Sequence, residues 1–193
     1  MKKPNLKALF KKTSFAARDA SRLGISSSLL AYYVNKGDLE RIARGVYLNP
    51  HIEVTAPFEW QDLLETAQSI PAGTICLISA LSYYGLTQEI QRQFWIAVPH
   101  PSKGVQRPKT KILRMRNATL GKVPLKVGEY KTSIFNRERS VIDAFRYLSK
   151  ETALWALREY LKTSDQHKPN LSKLAKYAKA LRVDIVPYIE AMT

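Results

Sequence analysis

The tripeptide Glu129-Tyr130-Lys131 has the Glu-x-Lys form that some nucleases use to hold a divalent cation and polarise a scissile phosphate. Such a site needs a further carboxylate on a neighbouring strand. No aspartate occurs between Asp62 and Asp143, and only Glu65 and Glu89 precede the motif within reach. The histidines, His51, His100 and His167, are scattered without metal-ligand spacing. The single cysteine, Cys76, lies in the apolar run 75–78, where a buried, unreactive thiol is expected. No glycine-rich loop that would cradle a phosphate is present. Asp143 follows Val141-Ile142, and a capping or salt-bridging role is expected for it. These residues predict a protein that is not an enzyme and has no cofactor and no bound metal.

The chemistry the chain is rich in is cationic. Lys plus Arg total 31 against 16 Asp plus Glu, a formal net charge of +15 over 193 residues. Such a charge draws in polyanions: nucleic acid, an anionic membrane surface or an acidic protein. Local pattern has to choose among them. Lys7, Lys11 and Lys12, with Lys2 and Lys3 before them, surround Leu6, Leu9 and Phe10, a spacing that suits a short helix with a basic outer face. Arg18 falls near the start of a second helical stretch. Ser26, Ser27 and Ser28 stand where a further helix begins, either as phosphate or base-edge donors or as an N-cap with solvated neighbours. Tyr32, Asn35 and Lys36 fall on the polar face of that helix, where Asn can read adenine and Lys can reach guanine or phosphate; an ordinary solvated face fits them equally. Arg41 and Arg44 follow on a short basic turn, as phosphate contacts or as surface charges paired with Glu40 or Asp38.

Those residues must be positioned by the elements of residues 14–48. The first helix is expected to start at Thr13 or Ser14 as N-cap and to present Phe15 or Ala16, Ala20 and Leu23 on one face. Gly24 ends it with a positive φ. Ser26 then caps a helix burying Leu29, Leu30, Tyr33 and Val34, which stops at Lys36-Gly37. Two short strands follow around Ala43-Arg44-Gly45. Helix, short glycine turn, helix and hairpin is the layout of a winged helix-turn-helix, with the second helix entering the major groove and the hairpin as wing.

The second segment, after the break at 49–57, reads as helix 58–70, a strand or helix start at 74–78, helix 79–85, strands 94–99, 111–116 and 125–130, and helices 138–148, 152–161, 171–181 and 186–192. The fold class is therefore α+β: a winged helix-turn-helix over 1–50, then a mixed domain of a small sheet with surrounding helices over 57–193. Lys103, Arg107, Lys109, Lys111, Arg114, Arg116, Lys122, Lys126 and Lys131 crowd one stretch, opposed only by Glu129. Arg114 and Arg116 would share one face of a strand. Lys109, Lys111, Arg114, Arg116 and Lys126 form the candidate polyanion surface of this segment, and Lys173, Lys176 and Lys179 recur along one helix side. A solvated charge run fits both sets equally well. The longest apolar runs are too short to cross a bilayer, and one cysteine suits a reducing compartment, so a cytoplasmic protein without membrane contact is expected.

The string Phe15-Ala16-Ala17-Arg18-Asp19-Ala20 … Gly24-Ile25-Ser26 … Leu39-Glu40-Arg41-Ile42-Ala43-Arg44-Gly45-Val46-Tyr47 resembles the N-terminal winged-helix domain of the AbiEi antitoxins, the wing being its most specific part. Ser79-Ala80-Leu81-Ser82-Tyr83-Tyr84-Gly85-Leu86-Thr87 and the strand 94–99 resemble that family's second domain, and Glu138-Arg139-Ser140-Val141-Ile142-Asp143 a later helix start, more loosely. The resemblance implies autorepression through inverted repeats upstream of a toxin–antitoxin operon. It also implies antagonism of a nucleotidyltransferase-type toxin without a stable complex, and a dimer on DNA. It departs at Ser26-Ser27-Ser28, where relatives often carry arginine, so no operator sequence carries over. A plain winged-helix transcription factor and a basic RNA-binding protein are the other readings the sequence leaves open.

Overall fold

The computed structural model describes residues 5–52, 55–102, 106–162 and 167–192. The expected basic positions Lys2, Lys3 and Lys103 lie outside them. The chain divides into two compact units. The first comprises the described residues of 1–71, 105–108 and 125–132, and the second those of 72–104, 109–124 and 133–193. Both combine helices and sheet, and the fold is α+β.

In the first unit, α1 (Leu6–Leu9), β1 (Ser14–Ala16), α2 (Ala17–Arg22), α3 (Ser27–Lys36), β2 (Glu40–Ala43), β3 (Val46–Leu48) and α4 (Phe58–Ser69) follow in order. The strands form a sheet in the order β1-β3-β2. Its core gathers Leu9, Phe15, Ala20, Ile25, Leu30, Leu39 and Tyr47. Phe15 stacks on Tyr47 at 5.8 Å between ring centroids.

Residues 14–16 correct the sequence expectation. Ser14, Phe15 and Ala16 are strand, pairing antiparallel with Leu48, Tyr47 and Val46, and α2 starts only at Ala17, with no side-chain cap on it. The Ala17 N–H that a Ser or Thr cap would have served is taken instead by the Gly45 carbonyl, at 2.8 Å. A partner 28 positions along the chain thus overrides a locally helix-compatible run.

The second unit holds β4 (Thr74–Ile75), α5 (Leu77–Tyr83), β5 (Phe94–Pro99) and β6 (Thr110–Met115), then β7 (Lys122–Val127) and β8 (Tyr130–Phe135), whose turn-side ends belong to the first unit. The helices α6 (Arg137–Tyr147), α7 (Lys150–Leu161), α8 (Leu171–Leu181) and α9 (Val186–Glu190) complete it. The sheet order is β6-β5-β4-β8-β7. β4 runs antiparallel to β5 and parallel to β8, and β5 runs parallel to β6. The single strand expected at 125–130 is in fact two, turning at Gly128-Glu129. Gly128 has φ +55°, and a Cβ there would sit 2.5 Å from Thr55 Oγ1, so only glycine fits.

Helix α6 is the hub, packing against α5, α7 and α8 over a core that includes Val141, Ile142, Leu157, Tyr160 and Leu174. It begins at Asn136, whose side chain accepts from the Arg139 N–H at 3.0 Å. Arg139 is wholly buried and is the bulkiest of the fully buried side chains. Its Nε donates to Asp143 at 2.7 Å, its Nη1 donates to the carbonyls of Asn117 and Leu120 at 2.9 and 2.8 Å, and its Nη2 meets the Met115 sulfur at 3.6 Å. Its guanidinium lies 4.4 Å from the centre of the Phe135 ring. Gly121, at φ +72°, lets the backbone pass: a Cβ would fall 2.6 Å from the Arg139 Cβ. Asp143, in the middle of α6, therefore fills the salt-bridging role expected of it.

Removing one member of a buried pair leaves the other charge unpaired. Asp143→Ala is expected to lose about 3–5 kcal/mol of stability, a fall of order ten degrees in Tm for a chain of this length. The double substitution Arg139→Met/Asp143→Leu should cost less than the single one. Thermal and urea melts of the three proteins check this, and a single variant within about 1 kcal/mol of wild type would remove the pair from its central position.

Candidate nucleic-acid interface

Helix α2 closes by handing its last carbonyls to the turn. Gly24, at φ +76°, and Ile25 donate their N–H groups to the carbonyls of Ser21 and Ala20, each at 3.0 Å, the hydrogen-bond pattern of a Schellman cap. Ile25 is 2 % exposed and plugs into the core, which fixes the angle at which α3 leaves. Ser26 then accepts from the Leu29 N–H at 3.2 Å, so its oxygen serves as the N-cap. Gly37, at φ +83°, and Asp38 repeat the terminal pattern at the far end, bonding the carbonyls of Val34 and Tyr33 at 3.1 and 3.0 Å. Of the apolar positions expected inward, Leu30 is fully buried, and Leu29, Tyr33 and Val34 pack partly buried against the same core.

Opposite that core, Ser27, Ser28, Tyr32, Asn35 and Lys36 are all exposed. The spacing of Ser28, Tyr32 and Asn35 puts them in one stripe along α3. Tyr32 is 56 % exposed, and its ring meets Tyr33 edge-on at 5.3 Å. Tyr33 in turn meets Phe10 edge-on at 5.1 Å, so the outermost tyrosine rests on a chain of aromatics rooted in the core. Lys36 is held by Asp38, Nζ to Oδ2 at 3.0 Å, and the hydrogen bond to that carboxylate raises its pKa. Lying at the surface, the pair gives way readily to a competing anion.

The wing is β2 and β3. A bulge between Arg41 and Ala43 shifts the register, pairing Arg41 with Tyr47 but Ala43 with Val46, and Gly45 turns the chain at φ +71°. Arg41 and Arg44 are exposed. Among the described residues neither has an acidic partner: Asp38 is taken by Lys36. Arg18 is exposed on the first turn of α2, beside an ion pair between Asp19 and Arg22 at 3.6 Å. Residues 1–50 hold ten Lys or Arg against three Asp or Glu, so the unpaired arginines of the wing sit in a local excess of positive charge.

The second basic stretch is divided. Lys126 belongs to the first unit and Lys109, Lys111, Arg114 and Arg116 to the second. Lys111 lies 4.1 Å over the Trp95 ring and lines a cleft of about 800 Å³ with Trp155 and Ile90. Arg114 and Arg116 line a different cleft, of about 500 Å³. Arg107 is engaged structurally, donating to the Ser69 hydroxyl at 3.1 Å, and burial lowers its pKa. Of the lysines spaced along α8, Lys173 is bound to Glu138 at 3.1 Å. Glu129 is likewise engaged: its Oε2 accepts from the Thr55 N–H and hydroxyl, both at 3.0 Å. Cys76 is buried, and burial pushes its thiol well above the ordinary range. Among the described residues no group of three His, Cys, Asp or Glu side chains is placed to hold a metal, and no helix is long and apolar enough to cross a membrane.

The exposed helix stripe, the capped turn and the unpaired wing form one continuous local structure from α1 to β3. Residues 6–50 match the family model of the AbiEi antitoxin transcriptional regulators. The matched span begins where α1 begins and ends two residues after β3, so the AbiEi-like region is the helix-turn-helix and its wing. No curated protein matches the chain. Among solved structures, the chain is similar to the RV2827C protein from Mycobacterium tuberculosis, with a TM-score of 0.51 and 13 % identity, covering 91 % of this chain and 70 % of that one. That likeness is one of fold.

The capping geometry separates the three serines. Ser26→Ala is expected to destabilise the protein by about 1 kcal/mol, whereas Ser27→Ala and Ser28→Ala should stay within about 0.5 kcal/mol of wild type. Urea unfolding of the three variants checks the order, and an equal loss at all three would displace the cap from Ser26.

Proposed function

We propose that this chain is an autoregulating transcriptional repressor and antitoxin. The observation that carries the reading is the coincidence of the AbiEi family match, residues 6–50, with a helix-turn-helix whose outward stripe and wing arginines are exposed. Two copies bind an inverted repeat upstream of their own operon. Each lays α3 into a major groove, with Ser27, Ser28, Tyr32 and Asn35 towards base edges and phosphates, and Lys36 released from Asp38. Ser26 acts through the cap, orienting the helix N-terminus. Arg41 and Arg44 hold the flanking backbone from the wing, and Arg18 meets it from α2. Half-site centres lie about 10 base pairs apart or a multiple of that.

In this reading residues 1–50 carry DNA binding and residues 57–193 the antagonism of a nucleotidyltransferase-type toxin from the same operon, in the cytoplasm and without a stable complex. Lys109, Lys111, Arg114, Arg116 and Lys126 are the first residues to examine for that second role.

The test is binding of the full-length protein to duplex DNA from upstream of its own gene, with unrelated duplex as competitor, over a salt series. Two symmetric protected half-sites are expected. Arg41→Ala/Arg44→Ala should weaken binding to all sequences and flatten the log–log salt dependence by about 1 for each phosphate that is no longer neutralised. Asn35→Ala should instead relax the sequence preference by about 1–3 kcal/mol at one position. Equal, salt-labile binding to every duplex would overturn the repressor reading, and a preference for RNA at matched salt would replace it with an RNA-binding one.

A further inference from the structure

We infer that the second unit carries a binding site for a compact polyphosphate anion, of the size of a nucleoside triphosphate, in the arginine-lined cleft formed by the end of β6, the C-terminal part of α6 and the end of α8. The cleft encloses about 500 Å³ and is lined by Arg114, Arg116, Arg139, Arg146 and Arg182, and among the described residues no Asp or Glu lines it. That volume suits a small ligand. Its concavity favours a compact anion over the convex backbone of a duplex.

The charge there is undercompensated in a countable way. Asp143, wholly buried behind the cleft, serves two guanidinium groups at once: Arg139 at 2.7 Å and Arg146 at 2.9 Å. Arg114, Arg116 and Arg182 are exposed, and among the described residues none of them has an ion-pair partner. Arg114 donates through Nε to the Ser102 carbonyl at 3.1 Å, which fixes its stem and leaves its terminal nitrogens for a ligand. Arg114 and Arg116 flank Met115, which is 2 % exposed, so the two arginines project to the same side of the chain. Forked guanidinium donors converging from three elements match the geometry of phosphate oxygens better than single ammonium groups would.

Two further features make this a constructed site. The floor is rigid, because Arg139 binds the carbonyls of Asn117 and Leu120 at 2.9 and 2.8 Å, and Asn117 itself lines the cleft. The rim is set at Arg182, which ends α8 in the left-handed conformation at φ +57°. Glycine is the stabilising residue for that position; an arginine there presents a guanidinium to the cleft from a strained backbone, the kind of departure that marks functional positions. Tyr147, 42 % exposed and covered by the Arg146 guanidinium at 4.9 Å, supplies a planar lip at the mouth.

The experiment is a titration of the full chain by calorimetry with ATP, GTP and inorganic tripolyphosphate, with adenosine as control, at about 150 mM salt, where diffuse attraction is screened. One saturable site per chain is expected for the triphosphates and none for adenosine. Arg116→Ala/Arg182→Gly should weaken it by roughly tenfold or more, as two charged donors are removed, with melting temperature kept because glycine suits the left-handed position. Arg114→Gln, a single exposed change, should weaken it less. The wing variant Arg41→Ala/Arg44→Ala should bind triphosphate like wild type, which separates this site from the DNA reading. Tighter binding of the nucleotides than of tripolyphosphate assigns the ligand to the nucleotides; equal binding assigns recognition to the phosphate chain alone. Both support the site. Absence of saturation, or equal losses in the wing and cleft variants, would overturn it.

Discussion

The second unit is organised around one guanidinium that is entirely out of water. Desolvating Arg139 is tolerable only if its donors are met, and they are: Asp143 takes Nε, two backbone carbonyls take Nη1, and the Met115 sulfur and the face of Phe135 lie against the rest. Each partner is a geometric demand. The carbonyls of Asn117 and Leu120 come from the connection between β6 and β7, Phe135 ends β8, and Asp143 lies one turn further along α6. The single side chain therefore ties α6 to the end of β6, to the connection that follows it and to the end of β8. The requirement propagates: residue 121 must be glycine for the backbone to pass Arg139, and the Gly121 carbonyl then accepts from the Asn136 N–H at 2.8 Å, at the residue that caps α6. A well-packed apolar core can match such a pair in stability, but it would not set the position of that connection, and with it the wall of the cleft, as narrowly.

Much of the first unit was legible because its signals are local. Gly24, Ser26 and Gly37 stand where a helix must end, begin and end again, and each adopts the conformation its residue type favours. The hairpin at Arg44-Gly45 follows from a glycine between two short β-prone runs. The strand at Ser14–Ala16 was not legible, because its cause is the edge of β3, which no local pattern encodes. The hairpin at Gly128-Glu129 did carry a signal, a two-residue Gly-Glu connection between runs rich in Val, Tyr and Thr.

The candidate site was legible to the same depth. Exposure of the α3 stripe and of Arg41 and Arg44 follows from helix period and hairpin position. What the pattern does not give is which charges are already engaged. Lys36, Arg107, Lys173 and Glu129 look alike in sequence to the free charges around them, yet each has a partner. The basic stretch from Arg107 to Lys131 reads as one surface on paper. Arg114 and Arg116 project into one cleft and Lys111 into another, because positions three apart on a strand face opposite ways. The role of Arg139 was hidden for a related reason: an arginine in a helix reads as solvent-facing until the elements that enclose it are assembled.

A sequence that folds well satisfies its local rules, so the places where it breaks them are informative. The first unit keeps them at the helix-turn-helix: the turn after α2 uses Gly24, and α3 begins on Ser26 and ends on Gly37, where those residues belong. The second unit departs repeatedly. A positive φ alone does not make a site: Ala72 at φ +55°, Leu77 at φ +46° and Lys109 at φ +48° share it. Arg182 differs because its strained backbone coincides with a cleft holding four other arginines, where like charges raise the energy of the folded protein. Stability alone would favour glycine at 182 and an acidic residue somewhere along the lining. Residue 182 is an arginine, among the described residues no Asp or Glu lines the cleft, and a ligand with several negative charges relieves the repulsion that remains.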